Sequence, residues 1–147
     1  MPILQYIKGS AVNPIIKPAI IAHICNNIGG WGKGFVLALS SKWKQPEKEY
    51  RKLKEYILGN VQFVSVEDGI IVANMIAQHD IKPTNGEPPI RYDALKTCLV
   101  KVYEKAIETN SIVCGPKFGS GLAGGDWNKI EQIILEAMKT STCIYYL

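Results

Sequence analysis

The sequence predicts an α/β fold: a mixed central sheet of about six strands, flanked by helices on both faces. Three observations carry this. Short apolar, β-branched runs alternate with segments of helical period. The run at 19–25 is apolar throughout except for His23, as expected of a central strand covered on both faces of a parallel sheet. Two glycine-rich loops, at 26–34 and 119–125, each follow such a run and lead into a helix.

The elements follow in order. Residues 3–8 alternate Ile3, Gln5, Ile7 against Leu4, Tyr6, Lys8 and form the first strand, ahead of a turn-rich stretch at Asn13 and Pro14. Residues 19–25 form the second. The loop at 26–34 contains too many glycines for a regular element, and a helix leaves it at 35–43. Another helix begins at Pro46, because proline suits a first helical turn. Glu47 and Glu49 early in it and Lys52 and Lys54 later complement the helix dipole. Residues 61–66 and 70–77 read as a hairpin turning through Glu67, Asp68 and Gly69. Residues 78–89, with their prolines and no hydrophobic period, are a loop. Tyr92, Leu95, Leu99, Val102, Tyr103 and Ala106 recur at helical spacing. A strand at 111–115 precedes the second glycine loop. Asp126 is placed to cap a last helix running to about Lys139, with Ile130, Ile133, Ile134 and Met138 as its buried stripe. Residues 143–147 close the sheet.

A chain of 147 residues, 47% hydrophobic and 20% charged, suits one domain over 1–147 with a core that needs no staples. The four cysteines form no CxxC pair, no histidine cluster joins them, and Cys25, Cys114 and Cys143 lie in apolar runs. They read as reduced core residues of a cytoplasmic protein, with no metal site or disulfide framework. The opening residues carry no charged leader with a long apolar stretch, so no signal peptide is expected, and no apolar run is long enough to span a membrane. The net charge of +4 suits an anionic small ligand. The lysines are scattered, with no basic stripe and no aromatic–basic interleaving, which argues against nucleic acid as the partner.

The chemistry points to the two loops. Ligands of open α/β sheets bind beyond the carboxyl ends of the strands, where helix N-termini offer unpaired N–H groups to an anion. Glycines let the backbone approach phosphate oxygens. Two ordinary tight turns would leave the same composition, so spacing has to decide. The first loop runs Ala22-His23-Ile24-Cys25-Asn26, then five residues, then Gly32-Lys33-Gly34-Phe35; the second runs Pro116-Lys117-Phe118-Gly119-Ser120-Gly121-Leu122-Ala123-Gly124. This resembles the macro domain family, in which an asparagine ends a buried strand and a glycine run opens the next helix. Tyr6-Ile7-Lys8-Gly9 and Ile144-Tyr145-Tyr146-Leu147 are similar to the family's first and last strands. The resemblance therefore spans the chain. It is nearest the branch holding terminal ADP-ribose protein glycohydrolase and ADP-ribose-1''-phosphate phosphatase, with a similar His-x-Cys-Asn segment and Trp-Gly-x-Gly helix start.

The resemblance implies an ADP-ribose site without a cofactor. Asn26 would bond the distal ribose hydroxyls, since its amide both donates and accepts. Gly32, Lys33, Gly34 and Phe35 would hold one side of the diphosphate, and Phe118, Gly119, Ser120, Gly121, Leu122 and Ala123 the other, chiefly through backbone N–H groups. Lys33 would add charge or remain a solvated surface residue. Trp31 would cover the ribose or plug the loop against the core. Gly9 and Ser10 would border the adenine; Ser10 stands where many members carry an aspartate for the adenine amino group, so adenine recognition rests on something else or is weaker. Gln78 and Ala123 match the lysine nucleophile and the aspartate of the glycohydrolase. Glutamine cannot form that adduct and alanine cannot move a proton, so lysine-dependent hydrolysis is expected to be absent, with Lys82 and Asp126 out of register. His23 reads as a hydrogen-bonded core residue facing away from Asn26 if the strand is regular. Phosphatase activity on ADP-ribose-1''-phosphate stays open, with Asn26, Asn27, Gln78, His79 and Ser120 as the available polar side chains. The alternative is a non-catalytic reader of ADP-ribosylated partners or a related nucleotide metabolite.

Overall fold

The computed structural model describes residues 4–147, so Ile3, at the start of the first expected strand, lies outside the described residues. The elements are β1 (Leu4–Lys8), β2 (Ala19–Asn26), α1 (Phe35–Lys42), α2 (Gln45–Arg51), β3 (Val61–Glu67), β4 (Ile70–Gln78), α3 (Tyr92–Thr109), β5 (Ile112–Gly115), α4 (Trp127–Ala137) and β6 (Thr142–Tyr146). The strands form one sheet in the order β1-β6-β5-β2-β4-β3. Only β3 runs antiparallel to its neighbour. The sheet is therefore mixed, as expected, and β2 lies between parallel neighbours with every residue but Ile24 buried.

Each face of the sheet has its own core. Ile20, Ala22, Met75, Val113 and Ile144 pack under Leu95, Leu99 and Val102 of α3 and Ile130 and Ile134 of α4. Ile21, Cys25, Val72, Ile76 and Cys114 pack on the other face against Leu39 of α1, Tyr50 of α2 and Trp43. Burying each of these large side chains contributes roughly 1.5–3 kcal/mol. The sequence allows Trp43, Tyr50 and Tyr56 either to mark an interface or to pack on the sheet; they pack on it, Trp43 and Tyr50 as core residues and Tyr56 half-buried against Tyr50. The four cysteines are buried free thiols.

Two helix C-termini differ from expectation by more than one residue. The second helix ends at Arg51, so Lys52 caps it and Lys54 lies beyond; its last-turn cations are Lys48 and Arg51. Lys52 instead pairs with Glu49 at 3.2 Å. The last helix stops at Ala137 with Met138 as its buried C-cap. Asp126 caps it as expected, its carboxylate accepting from the Asn128 N–H at 2.9 Å. None of the described helices is long and apolar enough to cross a membrane.

The topology places the site. Adjacent strands β2 and β5 feed helices on opposite faces, β2 leading to α1 and β5 to α4. Loops that diverge in this way open a crevice at the carboxyl ends of the strands.

Candidate functional site

Two adjoining chambers fill that crevice. The first, about 280 Å³, is lined by His23, Ile24, Lys33, Gly34, Phe35, Val36, Gln78, Pro116, Lys117, Phe118, Gly119, Gly121, Leu122 and Ala123. The second, about 440 Å³, is lined by Ile24, Cys25, Asn26, Gly30, Trp31, Gly32, Lys33, Val36, Gln78, Ile81 and Leu122. Lys33 and Gln78 are the polar side chains common to both. No carboxylate lines either chamber, whereas Lys33 and Lys117 both line the first. An anion entering it meets cations and no opposing charge.

The backbone is the main donor. The N–H groups of Gly32, Lys33, Gly34, Phe35 and Val36 have no acceptor among the described residues, and neither do those of Gly119, Gly121, Leu122 and Ala123. Gly34 is the N-cap of α1, with φ 81° and no side-chain cap, so the N–H groups of the first turn are left without a capping acceptor, and Gly34, Phe35 and Val36 line the first chamber. Gly119 has φ +82°, and a Cβ there would lie 2.6 Å from Cδ1 of Ile90; only glycine turns the chain at this point without displacing its neighbours. The second loop is braced by the Ile90 N–H donating to the Ala123 carbonyl at 3.0 Å.

Asn26 organises the first loop. Its Oδ1 accepts from the Ile28 and Gly30 N–H groups at 3.0 and 2.9 Å, and its Nδ2 donates to the Gly30 carbonyl at 2.9 Å. The Tyr50 hydroxyl lies 2.6 Å from the Asn26 carbonyl oxygen and 2.9 Å from Oδ1, sharing its proton between them. One amide proton of Asn26 therefore remains for a ligand. Sequence reasoning did not place Tyr50 near the site, since it sits on a helix after the loop and carries no motif. Lys117 stands inside the second loop's motif, which is the signal that marks it.

His23 is fully buried, with Nε2 2.5 Å from Oδ1 of Asn74. The Asn74 amide donates to Pro46 O and Gln62 Oε1, so its Oδ1 is the acceptor and His23 carries its proton on Nε2. Nδ1 is left without a partner. Burial pushes the imidazole pKa down to about 4, against a smaller opposing pull from Asn74, and the ring is neutral. His23 packs against Trp31 and Phe35, on the face of α1 and α2. Asn26 bonds Tyr50 on that same face, which corrects the expectation that the two residues face opposite ways. Regular alternation ends at Cys25, where the pairing with β4 skips a residue: Cys25 opposes Ile76, but Asn26 opposes Gln78.

Of its two expected roles, Trp31 is seen in the structural one, plugging the loop against the core. Its indole N–H donates to Ser40 Oγ at 2.7 Å and its ring packs on His23 and Tyr50, anchoring the loop, while it also walls the second chamber. Gly9, Ser10 and Ser120 line neither chamber. Gly9 N–H donates to the Tyr146 carbonyl beside the end of β1, and Ser120 Oγ donates to Lys117 O.

No family model matches the chain. A solved structure of a protein of unknown function from Bacteroides thetaiotaomicron is 50% identical, covers 99% of each chain and superposes with a TM-score of 0.96. A macrodomain protein from Streptomyces coelicolor is 40% identical over 98% of this chain and 99% of that one, with a TM-score of 0.85. This chain belongs to the macrodomain family. Among curated relatives, the ADP-ribose 1''-phosphate phosphatase of Lodderomyces elongisporus is 25% identical, with 89% of this macrodomain aligned to 90% of that protein. The chromodomain-helicase-DNA-binding protein 1-like of Danio rerio is 30% identical over 97% of this macrodomain, which spans only 15% of that longer protein. The crevice described above thus lies in a macrodomain whose wall carries Gln78 and Ala123, with Asp126 engaged in capping α4 and Lys82 exposed outside both chambers.

Proposed function

We propose that this macrodomain binds ADP-ribose or a derivative of it, with the diphosphate between the 32–36 and 119–123 backbones and the distal ribose in the second chamber beside Asn26. The observation that carries this reading is that residues with unpaired backbone N–H groups, in both loops, line a cleft that has two lysines and no carboxylate. Similarity to an ADP-ribose 1''-phosphate phosphatase supports ADP-ribose-1''-phosphate as the substrate, hydrolysed at its phosphomonoester. A second reading is favoured by Gln78 and Ala123, which supply neither a nucleophile nor a titrating acid: a reader that holds ADP-ribosylated partners without turnover.

Gly121 offers a clean test. A Cβ there meets nothing within 4 Å and the residue lies on the first chamber, so Gly121→Glu keeps the fold and puts a carboxylate where the diphosphate would lie. Calorimetric titration with ADP-ribose should give a micromolar Kd, about 8 kcal/mol, weakened at least thirtyfold in the variant with Tm unchanged. Folded wild-type protein that does not bind, or a variant that binds equally well, rejects the reading. Phosphate release from ADP-ribose-1''-phosphate then separates phosphatase from reader.

A further inference from the structure

We infer that Gln78 positions the attacking water in phosphomonoester hydrolysis by this cleft, an inference that rests on the substrate reading above. Hydrolysis of a phosphate ester in a site made of backbone amides requires one further group: an acceptor that fixes a water in line with phosphorus. The polar side chains near the loops can be eliminated one by one. Asn26 Oδ1 is already met by the Ile28 and Gly30 N–H groups and the Tyr50 hydroxyl. Both ends of the Asn27 amide are engaged, Nδ2 with Nδ1 of His79 at 3.0 Å and Oδ1 with the Asp80 N–H at 2.9 Å. His79 accepts at Nδ1 from that amide, so its other nitrogen carries the proton and can only donate. Ser120 lines neither chamber.

Gln78 differs from all of these. Its Nε2 donates to the Asp80 carbonyl at 2.9 Å, and Asp80 is itself held by Asn27, so the amide is fixed with Oε1 as its free end. That oxygen accepts no hydrogen bond from the described residues. The side chain stands at the junction of the two chambers and shares it with the Lys33 cation. The skipped residue in the β2–β4 pairing, whose carbonyl bonds Arg91 N–H instead of the sheet, sets Gln78 at the strand end.

In the step, the water oxygen forms a bond to phosphorus as the bond from phosphorus to the ribose 1''-oxygen breaks. An amide cannot take up a proton at neutral pH, so Gln78 only orients the water. One water proton passes to the leaving ribose oxygen and the other stays on the phosphate, giving ADP-ribose and hydrogen phosphate. Gln78 is thus a positioning residue, and its loss should lower kcat more than it raises KM.

The test compares wild type, Gln78→Ala and the volume-conserving Gln78→Met in phosphate release from ADP-ribose-1''-phosphate, with ADP-ribose titration and Tm alongside. We expect kcat to fall roughly a hundredfold or more in both variants, as for removal of one transition-state hydrogen bond, with KM within about threefold. If either folded variant keeps wild-type kcat, or loses only KM, the inference is overturned. If wild-type protein binds ADP-ribose but releases no phosphate, the inference falls and the binding reading stands. If it binds nothing, the binding reading itself has failed.

Discussion

His23 makes the stability of this domain depend on pH in a predictable way. The imidazole titrates near 6.5 in an unfolded chain and near 4 in the folded one, because burial disfavours the cation. Between those values the unfolded state binds more protons, so stability is complete above about pH 7 and drains away as the pH falls through 6.5 toward 4. With these two pKa values the loss between pH 7.5 and pH 4.5 is about 2.5 kcal/mol, roughly 5–10 °C in Tm for a domain of this size. His23→Gln keeps an N–H for Asn74 and cannot titrate. Glu47, held below the usual carboxylate range by Arg51 and Ser40, also loses stability in acid, but equally in both proteins. Urea denaturation of both at the two pH values isolates the histidine as a difference of differences. If the two proteins lose the same stability on acidification, the imidazole is not desolvated as its burial requires, and the reasoning fails.

Three further outcomes follow from the same contacts. Tyr50→Phe removes the hydroxyl shared by Asn26 O and Oδ1; we expect a loss of about 1 kcal/mol in thermal unfolding and weaker ADP-ribose binding by calorimetry, because the loop backbone loses its brace. Asp126→Ala removes the α4 cap and should cost about 1 kcal/mol in denaturant unfolding, while ADP-ribose affinity stays as in wild type; a loss of affinity would place this carboxylate in the site. Replacing Lys33 and Lys117 together by Gln should weaken ADP-ribose binding several-fold at low ionic strength and flatten its salt dependence, measured by titration across a salt series.

Much of the fold was legible because local signals agreed with the final arrangement. The run at Ala19–Asn26 had to be buried on both faces, and its β-branched residues are. Asp68 and Gly69 turned the hairpin, and Asp126 capped the last helix. The positions of the two glycine loops were legible for the same reason, since each is bounded by a buried strand and a helix that the structure contains. What stayed hidden depended on contacts distant in sequence. Nothing near Asn26 shows that Tyr50 reaches back to it and uses its acceptor capacity. The period-two rule put His23 and Asn26 on opposite faces, but the register shift between Cys25 and Asn26, which only the pairing with β4 reveals, accompanies a departure from it. Trp43 and Tyr50 looked available because aromatics beside lysines suit a surface equally well; only the packing of α2 on the sheet decides otherwise.

The strand order has a consequence for how the chain assembles. β1 has one neighbour in the sheet, β6, and Leu4 lies opposite Thr142. During synthesis the first strand therefore emerges long before the strand that receives it, while the β3–β4 hairpin forms locally and early. Until β6 emerges, β5 also has an open edge on the side β6 will occupy, beside the loop that carries Gly119 and Leu122. The cleft between the two glycine loops is accordingly among the last regions to be completed, and a nascent chain halted before β6 would expose that edge to whatever strand it meets first.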